Sequence, residues 1–212
     1  MPGPEDYIWQ FREDHAIQSQ DKGIAMRRHL IRHIVLVGMM GAGKTAIGGE
    51  LARRLGVPFR DSDAEIETAA AMTITEIFAR DGEAFFRARE AEVLGRLLAG
   101  PASVISTGGG AFMQEGNRKA IGQAAVSVWL DCEIETLWQR VRQRPTRPLL
   151  QTADPKGTLI RLMEERAPVY GLADLRFRSQ AGDSIEASTR RLLTALENAA
   201  SSPFAPVPKD RP

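Results

Sequence analysis

The amino-acid sequence predicts an α/β fold in which a five-stranded parallel sheet is flanked by helices. Three observations carry that expectation. Short β-branched runs alternate along the chain with stretches of helical period. A glycine-rich turn joins the first such run to the first such stretch. The 212 residues, 43% hydrophobic and 26% charged, suit one compact domain with a single core. Alternation of this kind covers both faces of the sheet with helices, so its strands should read as near-continuous apolar runs.

The first strand is expected over residues 34–37, a β-branched run that stops at a glycine. Residues 44–55 follow with apolar spacing at Ile47, Leu51 and Leu55, the period of a helix. Residues 59–61 form a weaker strand, and helices are predicted over 64–71, 75–80 and 83–99. Residues 104–106 and 126–130 have the composition of buried strands, the second followed by a helix over 133–142. A helix over 159–169 is cut off by Pro168, since proline lacks the backbone donor and crowds the carbonyl four residues back. Residues 175–178 supply the fifth strand and 184–199 the last helix. Around this domain, residues 31–200, the sequence places an N-terminal extension over 1–30 and a flexible tail over 201–212. The extension is expected to be partly ordered, a short helix within 5–18 being one option. The tail, SSPFAPVPKDRP, is rich in proline and polar residues.

Composition excludes several classes of function. Lys plus Arg number 28 against 27 for Asp plus Glu, so no overall field draws the chain to nucleic acid or to an acidic membrane surface. The single cysteine, Cys132, rules out an internal disulfide and a multi-thiolate zinc site; packing is its expected role. No apolar stretch approaches the roughly 20 residues of a membrane-spanning helix, and residues 1–30 lack the apolar run of a secretory signal. A cytoplasmic protein is expected.

The glycine-rich turn, GMMGAGKT over residues 38–45, fits G-x-x-x-x-G-K-[ST] at every fixed position and lies between a predicted strand and a predicted helix. That is the P-loop NTPase pattern. Its glycines let the chain curl so that successive N–H groups point inward, and the helix N-terminus adds partial positive charge. Gly41, Ala42, Gly43, Lys44, Thr45 and Ala46 are the expected ATP-binding residues. Lys44 would reach the β- and γ-phosphates, and the Thr45 hydroxyl would ligate Mg²⁺. The competing reading is a glycine turn with a chance lysine. A P-loop by itself indicates nucleotide rather than reaction. The chain carries no N-K-x-D guanine-reading pattern and is short for a motor or transporter, so a small kinase is the favoured class.

The acceptor side is read from three further clusters. In FRDSD, Asp61 and Asp63 stand two apart and share one side if the extended conformation persists. At the carboxyl end of a strand they would face the phosphate loop, where an aspartate can orient a hydroxyl and take its proton. The alternative is capping by Ser62 or Asp63 of the helix that follows. Gly108, Gly109 and Gly110 end the third strand where a Walker B aspartate would be usual; they leave room for a ligand against the main chain, or else make a flexible turn. Arg87 and Arg166 each sit amid apolar residues. A guanidinium can hold a carboxylate through two parallel hydrogen bonds, although a surface ion pair is the alternative for each taken singly.

Taken together and in order, GMMGAGKT, FRDSD, GEAFFR, STGGGA, TRPLL and ERAPVY resemble the shikimate kinase family, over about residues 32–178. The resemblance implies a nucleoside-monophosphate-kinase-like fold and transfer of the ATP γ-phosphoryl group to the 3-hydroxyl of shikimate, a step of chorismate and aromatic amino acid biosynthesis. By similarity, Asp63 binds the acceptor hydroxyls and is the candidate base, and Asp61 reaches Mg²⁺ through water. Arg87 and Arg166 grip the substrate carboxylate, and Gly109 and Gly110 contact substrate. The basic, proline-punctuated segment 142–155 resembles the family's lid, in which Arg147 swings onto the transferring phosphates; Lys44, Asp63 and Arg147 are thus the implied catalytic set. Arg144 or Arg142 would stack beside adenine. The adenine-side basic residue often found after the last strand has no clear match in SQAGDSIEAS, and the N-terminal extension has no counterpart. A monomer with shikimate and ATP as its partners is expected.

Two rival readings remain at the level of sequence. One is another small-molecule kinase, of the gluconate or nucleoside-monophosphate type, against which the TGGG turn and the ERAPVY arginine argue. The other is a noncatalytic nucleotide-binding module, which would have no use for Lys44, Thr45, Asp61, Asp63 and Arg147 together.

Overall fold

A computed structural model describes residues 29–142, 148–150, 152–180 and 182–205. The elements run β1 His33–Val37, α1 Lys44–Leu55, β2 Phe59–Asp61, α2 Ser62–Ala70, α3 Ile74–Leu98, β3 Val104–Ser106, α4 Glu115–Ala124, β4 Ala125–Asp131, α5 Ile134–Val141, α6 Pro155–Tyr170, β5 Leu175–Arg178 and α7 Ile185–Glu197. The sheet has the order β2-β3-β1-β4-β5, and every pair is parallel. β1 and β4 are buried along their whole lengths, as central strands covered on both faces must be. The chain leaves β1 toward one edge, fills β2 and β3, then crosses to the other side for β4 and β5. That reversal puts the topological switch point at the carboxyl end of β1, flanked by the ends of β3 and β4, where α/β sheets hold their ligands.

Local chemistry explains where the helices start and stop. The Thr73 hydroxyl accepts from Glu76 N while the Glu76 carboxylate accepts from Thr73 N, a reciprocal capping box that opens α3. The two helices expected on either side of residue 82 meet at a single residue, Gly82, whose φ of 81° breaks α3 into two segments. α4 was not expected from the sequence. Its residues EGNRKAIGQA bury only Asn117 and Ile121, too few apolar positions to show a helical stripe.

Pro168 does not cut off α6. The helix begins at Pro155, earlier than expected, where the Asp154 carboxylate accepts from Gly157 N, and it runs through Pro168 to Tyr170. Pro168 falls in the last turn and both it and Glu164 are exposed, so the carbonyl deprived of its donor can turn to water. The loop expected over 142–155 also contains a 3₁₀ turn, Pro148–Leu150. The start of the expected tail is pinned as well. Leu30 pairs with Phe204 in an antiparallel bridge, Ile31 N donates to Pro203 O and Ala205 N to His29 O. The proposed helix within residues 5–18 and the candidates Arg144 and Arg147 lie outside the described residues.

His33, at the amino end of β1, is 4% exposed and hydrogen-bonds Ser103 Oγ through Nδ1 at 3.0 Å. Burial is the main reason its pKa lies below the ordinary value of 6.5, although carbonyl contacts at Leu98 and Gly100 oppose the effect. Below about pH 6.5 the unfolded chain therefore takes up a proton that the folded chain resists. Stability contributed by neutral His33 is present above that pH and is lost as the pH falls through the folded pKa. The melting temperature of the protein should thus fall more steeply from about pH 7 to about pH 5 than that of His33→Asn. Parallel curves for the two proteins would show that His33 does not set this slope.

Candidate active site

The loop after β1 folds as its glycines dictate. Gly38, Gly41 and Gly43 all have positive φ, and a side chain on Gly41 would strike Val141 Cγ1 at 2.8 Å. Gly43 precedes α1 with no side-chain cap, so the first N–H groups of the helix are left for a ligand. Lys44 Nζ donates to Gly38 O at 2.8 Å and to Met39 O at 3.0 Å, which holds the ammonium against its own loop. Thr45 Oγ1 donates to Asp61 Oδ2 at 3.0 Å. The Thr107 hydroxyl, at the end of β3 where an acid would be usual, instead donates to Leu36 O.

Asp61 and Asp63 converge, but not by alternation along an extended strand. β2 ends at Asp61 and α2 begins at Ser62, so Asp63 projects from the first helical turn. Asp61, rather than Ser62 or Asp63, is the cap: its Oδ1 accepts from Asp63 N at 3.1 Å and Ala64 N at 3.4 Å. The other oxygen of the same carboxylate takes the Thr45 hydroxyl, so one side chain ties the second strand to the phosphate loop.

The two arginines line the same cavity as these acids. Arg87 donates through Nη1 to Glu90 Oε2 at 2.9 Å and through Nη2 to Glu83 Oε1 at 3.0 Å. The guanidinium lies so close to Gly110 that a Cβ there would sit 2.5 Å from Arg87 Nη1, so a side chain at that position would push the guanidinium aside. Arg166 Nη1 donates to Gly109 O at 3.3 Å. Glu90 was not identified from the sequence. It is completely buried, and burial raises its pKa despite the neighbouring Arg87, with the negative charge of Asp63 adding to the rise. Its Oε1 has no hydrogen-bond partner among the described residues. The available signal was its place three residues after Arg87, on the same helical face.

Two cavities meet here. One, of about 720 Å³, is lined by the loop residues Gly41, Gly43, Lys44, Thr45 and Ala46 and by Arg140. The other, of about 800 Å³, is lined by Arg87, Glu90, Gly109, Gly110, Leu149 and Arg166. Met40, Thr45, Asp61, Asp63 and Gly109 line both, so the acids stand at the junction. Arg140 is the second residue that sequence reasoning missed: its Nη1 donates to Gly41 O at 3.0 Å and lies 3.8 Å from Cys132 Sγ. Arg142, one of the two arginines expected beside adenine, is the exposed C-cap of α5; Arg144, the other, lies outside the described residues. Cys132 is buried in the core, as its expected packing role requires, and burial pushes its thiol pKa up.

A phosphate-binding loop that opens onto a second cavity lined by acids and arginines defines the class: a P-loop small-molecule kinase. The sequence profile of the family described as shikimate kinase matches residues 40–197. A shikimate kinase of Ruegeria pomeroyi is 55% identical over 184 residues, which span 87% of this chain and 93% of the relative. That of Cereibacter sphaeroides is 54% identical over 178 residues, 84% of this chain and 89% of the relative. Among solved structures, a shikimate kinase from Acinetobacter baumannii in complex with shikimate superposes with a TM-score of 0.75 at 40% identity, covering 79% of this chain and 94% of that one. The chain belongs to the shikimate kinase family. It is a transferase that phosphorylates its acceptor with ATP as co-substrate.

Proposed function

We propose that the two adjoining cavities hold ATP and shikimate, and that their junction is where the γ-phosphoryl group passes to the 3-hydroxyl of shikimate. The observation that carries this reading is that Thr45, Asp61 and Asp63 line both cavities. The loop N–H groups cradle the phosphates, and Lys44 exchanges the carbonyls of Gly38 and Met39 for phosphate oxygens. Arg87 and Arg166 take the acceptor carboxylate, and Asp63 accepts the hydroxyl proton as the oxygen bonds to phosphorus and ADP departs. Arg140 adds a cation on the nucleotide side. Arg147, outside the described residues, is the proposed lid arginine that neutralises the transferring group once the lid excludes water.

The donor set suits Mg²⁺, a hard cation that takes oxygen ligands and keeps several waters. Thr45 Oγ1 and Asp61 Oδ2 lie 3.0 Å apart, so both oxygens could serve one ion; by resemblance to the family, the hydroxyl would ligate it directly and the carboxylate through water. When bound, the ion would neutralise charge on the β- and γ-phosphates. The proposal extends to a monomer of the cytoplasm, with residues 31–200 as its kinase domain. No described helix is long and apolar enough to cross a membrane.

An assay of ADP release with shikimate, quinate and gluconate as acceptors tests the reading. Turnover should occur with shikimate and fall away with the others; preference for gluconate, or no turnover with any acceptor, would contradict it. Arg166→Lys should raise the acceptor KM by about tenfold or more with little change in the KM for ATP, because an ammonium cannot make the two-pronged contact. An unchanged acceptor KM would remove Arg166 from the site.

A further inference from the structure

Tyr170 ends α6 one turn after Arg166, so the two side chains share a helical face. It is completely buried, with its ring stacked at 6.0 Å from that of Trp129. Its hydroxyl donates to Gly109 O at 2.5 Å, the same carbonyl that accepts from Arg166 Nη1. The hydroxyl also lies 3.9 Å from Met39 Sδ, and Met39 O is one of the carbonyls that hold Lys44. A phenol buried without a partner is costly, so packing alone would favour phenylalanine here. The polar group is aimed instead at the carbonyl of Gly109, a residue that lines both cavities.

The consequence follows from the planarity of the peptide unit. The carbonyl of Gly109 and the N–H of Gly110 belong to one rigid plane and point in opposite directions. Glycine has no side chain to hold that plane, so its orientation must come from what the carbonyl bonds. Resting on the proposed acceptor site, we infer that Tyr170 is a positioning residue for the acceptor. Its hydroxyl and Arg166 together clamp the Gly109 carbonyl, which fixes both the glycine run and the Arg166 guanidinium where shikimate must meet them. Burial pushes the phenol pKa up to about 12, with Arg166 opposing, so the hydroxyl stays a donor throughout the working range.

Tyr170→Phe keeps the ring against Trp129 and leaves Gly109 O the Arg166 donor, so the fold holds. The acceptor KM should rise by about tenfold, the size expected for one hydrogen bond. The KM for ATP should stay within about twofold of the wild type. In the double variant with Arg166→Lys, the rise should be smaller than the product of the two single effects, because both side chains act on one carbonyl. Melting curves, with shikimate binding measured by calorimetry, separate positioning from loss of structure. An unchanged acceptor KM in Tyr170→Phe, or equal rises in both KM values together with a lowered melting temperature, would overturn the role of Tyr170 alone. Absence of shikimate turnover in the wild type would overturn both this role and the site on which it rests.

Discussion

Asp63→Asn is expected to lower kcat by a factor of about 10² to 10⁴, the range for a positioned general base, while ATP binds as before. Asparagine keeps the shape of the side chain and its place in the first turn of α2, but it cannot take the hydroxyl proton. The effect should be confined to chemistry because the nucleotide cradle is held by other groups: Asp61, not Asp63, caps α2 and accepts the Thr45 hydroxyl. A Cβ on Gly108 would sit 2.6 Å from Asp63 Oδ1 and 2.9 Å from Glu90 Oε1, so both acids approach the glycine run from one side. Steady-state kinetics with calorimetric titration of an ATP analogue checks the prediction. Equal loss of nucleotide affinity and turnover would place Asp63 in the cradle rather than at the acceptor.

Lys44→Ala should show the opposite partition. Lys44 lines the nucleotide cavity but not the acceptor cavity. Its charge meets the phosphates most strongly as negative charge develops between the β and γ positions, so kcat should fall by about 10² to 10³. Shikimate should bind the variant as it binds the wild type. The fold should tolerate the change, since the ammonium is held by two loop carbonyls that solvent can reach once the side chain is gone. Loss of shikimate binding equal to the loss of turnover would mean that the two cavities are one site.

The phosphate loop was legible in the sequence because its physics is local. Backbone curvature needs glycine at fixed positions, and the lysine and threonine follow at fixed spacing, so one window of eight residues carries the whole signal. The central strands were legible for a related reason: burial on both faces leaves β1 and β4 mostly apolar, with His33, Ser127 and Asp131 as the polar exceptions. Asp61 and Asp63 do stand together at the junction of the cavities, but by a different geometry from the one expected. Strand alternation was invoked for Asp61 and Asp63, whereas the chain turns into α2 between them. Glu90 and Arg140 escaped because their roles are set by tertiary neighbours. Glu90 is buried by packing around Arg87 and the glycine run, and Arg140 matters because α5 lays it against Gly41. α4 escaped because it buries so few apolar side chains. Pro168 misled because proline is costly inside a helix but tolerable in an exposed last turn.

The central claim is spatial: the acids at the junction and the two arginines hold one acceptor opposite the phosphate loop. A crystal structure with Mg²⁺, ADP and shikimate bound together tests it most directly. The account predicts ADP along residues 41–46, the shikimate carboxylate between Arg87 and Arg166, and its 3-hydroxyl within hydrogen-bonding reach of Asp63. Shikimate bound elsewhere, or turned so that its carboxylate faces Asp63 and its 3-hydroxyl faces away from Lys44, would contradict the account.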